Sequence, residues 1–110
     1  MIPSRYDMSI PANQRKLEAA QALGDLSQEA GMTLIEMALA FVTTHPAVSA
    51  AIIGPRTMEQ LESQLPALDR TLAADVLDRI DEIVPPGVTV NPADTGWDPP
   101  WVTDSSLRRR

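Results

Sequence analysis

Val48 to Ile53 is a short run of small and β-branched apolar residues, stopped by Pro46 on one side and by Gly54-Pro55 on the other. This is the pattern of a strand buried on both faces, and the segments before and after it have helical spacing. A lone strand leaves N–H and C=O groups bare on both edges, at a cost of about 1–3 kcal/mol for each unpaired buried group. Val88-Thr89-Val90 is short, follows Pro85-Pro86-Gly87, and still leaves one edge bare if it pairs. The run therefore predicts sheet neighbours outside this sequence. They come either from another copy of the chain or from a larger α/β protein in which strands and helices alternate.

Around this run the helices announce themselves by their stop and start signals. From Asn13 to Ala30, the residues Ala19, Leu23, Leu26 and Ala30 recur at helical spacing, and Gly31 supplies a stop. Thr33 stands three residues ahead of Glu36, a capping-box pattern. The helix it introduces carries Leu34, Ile35, Met37, Leu39, Phe41 and Val42 around nearly its whole circumference, so it wants protein on most sides. Past Gly54, Thr57 is placed to cap a helix with Gln60 at the reciprocal position and Pro66 near its end. Thr71 is expected to cap a last helix, with Asp75 in its first turn, Val76, Ile80, Ile83 and Val84 on one stripe, and Pro85-Pro86-Gly87 closing it. The organisation predicted is a lead-in loop over 1–12, a helix-strand-helix unit over 13–86, and a Pro/Trp tail over 87–110.

With 110 residues, a net charge of −6, one histidine and no cysteine, the chain has room for one domain. A disulfide framework and a thiolate metal site are excluded. The acidic balance argues against a nucleic-acid groove, since Arg108-Arg109-Arg110 is the sole basic cluster. No apolar stretch approaches the ~20 residues of a membrane-spanning helix, and the N-terminus has no signal-peptide pattern, so a soluble cytoplasmic chain is expected.

The chemistry-bearing stretch is AIIGPRTMEQLESQL, residues 51–65. A strand entering a glycine turn and then a helix N-terminus is a recurring anion site, because free N–H groups and the helix dipole aim positive partial charge at one point. Arg56 adds a full charge there. Arg56, Gln60, Ser63 and Gln64 fall on one polar face, opposite Met58, Leu61, Leu65 and Leu68. A guanidinium grips phosphate bidentately, and amides bond the edge of a base, so the face suits a phosphorylated nucleotide. Spacing alone describes the solvated side of an amphipathic helix equally well.

Ile52-Ile53-Gly54-Pro55-Arg56-Thr57 followed by Glu59-Gln60-Leu61 resembles the NADP(H) adenosine-phosphate segment of the aldo-keto reductases. Thr33 to Thr44 is similar to the family segment before the last barrel strand, and Asp78 to Ile83 to its final helix, so the likeness covers about residues 13–86. The resemblance implies an α/β fold, the C-terminal fragment of a (β/α)8 TIM barrel, for which 110 residues supply less than half of the usual ~250. It implies NADPH as cofactor and reduction of an aldehyde or ketone as the parent activity. In the same terms, Gly54 gives backbone approach, Arg56 faces the 2′-phosphate, Thr57 caps the helix beside it, and Gln60, Ser63 and Gln64 stand on the adenosine side. The sequence departs from the family at Gln64, where asparagine is usual, and at Ser63, where Glu or Gln is frequent.

The family's catalytic Asp, Tyr, Lys and His belong to earlier strands, so no catalytic residue is assigned in this chain, which is expected to be inactive alone. Tyr6, Lys16 and His45 are its single residues of those types, and no spacing unites them. The carboxylates of Asp75 with Asp78 and of Asp81 with Glu82 read as a solvated helix face, without a metal. Trp97 and Trp101 either dock the tail or cap a substrate cleft. The expected partner is the missing N-terminal part of the barrel or another copy of the chain. The rival reading is a small acidic helical module that self-associates by pairing Val48 to Ile53 across a twofold axis, without cofactor, leaving Arg56 to Gln64 as ordinary surface.

Overall fold

The computed structural model describes residues 2–97, 104 and 106. Its helices are α1 (Pro11–Glu29), α2 (Leu34–Thr44), α3 (Met58–Gln64) and α4 (Ala74–Ile83), with 3-10 turns at Pro3–Tyr6, Leu65–Asp69 and Pro92–Asp94. Trp101 and the terminal arginines lie outside the described residues.

α1 starts at Pro11, two residues before the apolar period suggests, because proline at the first helical position has its φ preset and no N–H to satisfy. It ends where glycine permits a left-handed turn. Gly31 has φ +69°, its N–H donates to Gln28 O at 3.0 Å, and Met32 N–H donates to Ser27 O at 3.0 Å. This double bond pattern satisfies carbonyls the helix leaves open, and it folds Met32 back onto Leu26.

α2 begins with the predicted capping box in full. Glu36 N–H donates to Thr33 Oγ1 at 3.2 Å, and Thr33 N–H donates to Glu36 Oε2 at 2.7 Å. Leu26 of α1, Met37 of α2 and Ile80 of α4 form the core, with Leu23, Phe41, Leu72, Val76 and Ile83 packed around it. The rest of α2 is less well covered: Leu34, Ile35 and Val42 remain exposed, so the helix has protein on fewer sides than its circumference calls for.

Two expectations need correction. Val48 to Ile53 is not a strand; its residues carry no regular secondary structure, and no strand occurs among the described residues. A strand is defined by its ladder, and Val88–Val90, itself without regular structure, does not provide one. Ile52 is 102% exposed, the reverse of the burial its composition suggests. Thr71 is not the cap of α4: that position is Ala73 (φ −68°, ψ 156°), which has no capping side chain. Leu72 packs on the core and fixes the chain as extended just ahead of the helix, leaving Thr71 outside the first turn.

Candidate cofactor site

The short helix α3 organises the site. Thr57 is its N-cap, with φ −129° and ψ 160°, and its Oγ1 accepts from Gln60 N–H at 3.2 Å. The reciprocal bond is displaced by one residue from a standard box: Gln60 Oε1 accepts from Arg56 N–H at 2.7 Å, so the glutamine side chain braces the residue ahead of the cap. This commits one acceptor of Gln60 and leaves its amide hydrogens to donate elsewhere. Ser63 Oγ donates to Gln60 O at 2.8 Å, which turns the hydroxyl onto the helix backbone while its lone pairs stay available.

Arg56 is exposed, and no ion pair engages its guanidinium among the described residues. Its placement is therefore decided by the backbone bond to Gln60 rather than by a carboxylate. Gly54 is exposed too; it lacks a positive φ, and a Cβ built on it meets no atom within 4 Å. Nothing among the described residues demands glycine there, and the space in front of its backbone is open to an outside group.

Gln64, at the far end of α3, is half-buried, and its Oε1 is buried without a hydrogen-bond partner among the described residues. It lines a largely apolar cleft of about 260 Å³ between Leu39 and Thr43 of α2, Ser49 to Ala51, and Leu65. Of the six residues picked from the sequence, Gln64 alone lines this cleft; Arg56 stands eight residues earlier, two residues ahead of the first residue of α3. Among the described residues the arrangement offers a cation without an ion pair just ahead of a short helix and an unsatisfied acceptor at its end. An orphaned buried acceptor is costly by itself, and an amino group arriving in the cleft would satisfy it.

The three residues weighed for catalysis are engaged otherwise. Lys16 pairs with Asp94 and donates to Arg5 O, His45 Nδ1 accepts from Ala47 N–H, and Tyr6 is exposed on the lead-in turn. Sequence reasoning missed two polar arrangements. Glu36 is buried and meets Arg70, and the hydrogen bonds from Thr33 and Arg70 hold its carboxyl below the ordinary value of 4.5 against the opposing effect of burial. Asn13, with no exposed surface, bonds Asn91. Neither pairing has a sequence signal, since the partners are 34 and 78 residues apart.

A family model of the aldo/keto reductase family matches residues 3–85, and the chain belongs to that family. Among curated relatives, an uncharacterized oxidoreductase, YrpG, of Bacillus subtilis (strain 168) is 37% identical over 65 residues, which is 59% of this chain and 20% of the relative. Protein tas of Escherichia coli (strain K12) is 32% identical over 72 residues, 66% of this chain and 21% of the relative; protein tas of Shigella flexneri matches equally. The chain thus spans about a fifth of the length of the curated relatives it matches. No solved structure matches. Members of this family generally use NAD(P)H. Among the described residues no helix is long and apolar enough to cross a membrane.

Proposed function

We propose that this chain is the C-terminal part of an NADPH-dependent aldo-keto reductase barrel, contributing the adenosine-phosphate half of the cofactor site. The observation that carries the reading is that, among the described residues, the guanidinium of Arg56 ahead of α3 has no ion pair and the buried Oε1 of Gln64 at the end of α3 has no hydrogen-bond partner, both within the family match. Arg56 grips the 2′-phosphate, and Gln64 Oε1 accepts from the exocyclic amine of adenine. Gly54 lets the cofactor approach the backbone, Thr57 and Gln60 hold the corner rigid, and Ser63 accepts from the sugar or base. The bound cofactor supplies hydride to an aldehyde or ketone. This chain's residues bind and orient the distant end of that cofactor, and none of them moves the proton. Alone it is a poor catalyst, because placing a nicotinamide against a proton donor requires groups held to within fractions of an ångström. Val48 to Ile53 takes its place as a barrel strand when the upstream strands are present, and the partner is that N-terminal part.

A second reading is favoured by the exposed Ile52 and the unladdered backbone beside it, which suit pairing with a second copy of this chain. Side-by-side titration with NADPH and NADH separates the two. Tighter binding of NADPH supports the cofactor half-site; equal and weak binding of both coenzymes removes it and leaves self-association.

A further inference from the structure

The lead-in and the segment after α4 are far apart in sequence, yet both are fastened to the first turns of α1. Asn13 donates both amide hydrogens, to Ser4 O and Asp7 O at 2.8 Å each, and its Oδ1 accepts from Asn91 Nδ2 at 2.7 Å. Asn91 in turn accepts from Ala93 N–H at 3.1 Å, closing its own turn. This amide pair is buried at both residues and has its principal donors and acceptors engaged, the condition under which a buried polar network rigidifies its surroundings. Three residues on, Asp94 receives charged partners from both sides: Arg5 Nε at 3.4 Å and Lys16 Nζ. Arg5 also donates to Asp94 O at 3.0 Å, and Lys16 to Arg5 O at 3.0 Å.

We propose that these five side chains form a two-part latch holding residues 88–97 as a strap across the start of α1, with a buried neutral half at Asn13 and Asn91 and an ionic half at Arg5, Lys16 and Asp94. The strap also walls a cleft of about 400 Å³, which Val88 and Val90 line together with Ala19 and Ala22 of α1, so the latch sets whether that cleft stays formed. It carries the exposed Tyr6 and Trp97 on its two flanking segments. The halves differ in what opens them. Partly exposed ion pairs weaken as salt screens them, whereas a neutral buried amide pair does not respond to ionic strength. Salt therefore loosens the rim and leaves the amide half fastened. The inference stands apart from the cofactor reading, since none of its residues belongs to that site.

Hydrogen–deuterium exchange of the whole chain, read by mass spectrometry in low salt and in 1 M NaCl, tests it. Asn91→Ala leaves Asn13 with an unsatisfied buried acceptor and is expected to raise exchange roughly ten-fold in both 3–10 and 88–97, at either salt, with α2 and α4 unchanged. Asp94→Asn, a near-isosteric change that keeps the side chain's shape and removes its charge, is expected to raise exchange in 88–97 severalfold in low salt and to abolish the salt response of the unaltered chain. Unchanged protection of the lead-in in Asn91→Ala overturns the latch. So does a salt response that survives in Asp94→Asn, or a rise spread evenly over α2 and α4.

Discussion

Arg70 reaches back 34 residues to hold Glu36, its guanidinium meeting Oε1 at 3.1 Å while Glu36 Oε2 accepts the Thr33 N–H at 2.7 Å. One carboxylate thereby closes the start of α2 and ties it to Arg70, just past the 3-10 turn that follows α3. Its pKa lies below the ordinary 4.5, so its contribution to stability is fully present above that value and is lost as pH falls through the depressed folded value. Glu36→Gln is expected to flatten this acid limb, and Thr33→Ala to cost about 1 kcal/mol near neutral pH. Urea unfolding followed by circular dichroism between pH 3 and pH 7 checks both; an unaltered acid limb in Glu36→Gln refutes the assignment.

Arg56→Ala is expected to weaken NADPH binding roughly ten- to hundred-fold, the scale of a charge-assisted bond to phosphate, with NADH binding unchanged. Isothermal titration of the protein in the form that binds the cofactor makes the comparison. Parallel losses for the two coenzymes would place Arg56 away from the 2′-phosphate.

Gln64→Leu carries opposite expectations for stability and binding. Removing the buried Oε1, which has no partner among the described residues, is expected to stabilise the free chain by about 1 kcal/mol, since a lone buried polar atom costs more than an apolar one of similar shape. The same change removes the acceptor offered to adenine and weakens the cofactor. A variant that is less stable, or one that binds NADPH as tightly as before, contradicts the role given to this oxygen.

Ile52→Asp should alter the stability of the free chain by less than about 0.5 kcal/mol, because the side chain is fully exposed. Its effect falls on association: a charge at this point is expected to abolish the pairing proposed above, with upstream strands or with another copy. Sedimentation velocity over a concentration series, with and without the proposed upstream partner, measures it.

The helix boundaries that depend on neighbouring residues were legible in advance. Thr33 with Glu36, Thr57 with Gln60 N–H, and Gly31 act within a few residues of themselves, so spacing identifies them. Thr71 misled because the packing of Leu72, a tertiary contact, decided where α4 starts. The composition of Val48 to Ile53 suggests a buried strand, yet strand formation is a property of a pair, and no partner lies among the described residues. In the candidate site, the type and order of residues pointed to Arg56, Gln60 and Gln64. That Gln60 would fold back on Arg56 N–H, and that Gln64 would hide an unanswered oxygen, depends on side-chain direction that a sequence does not carry.

The extended stretch beside Ile52 bears on the order of events in folding. α1 and α2 meet across one short turn and assemble from contacts close in sequence, which form fast, whereas a ladder for 48–53 demands a distant partner and a slow loop closure. The helices are therefore in place first, and on the proposed function the docking of 48–53 onto upstream strands is the late step of assembly.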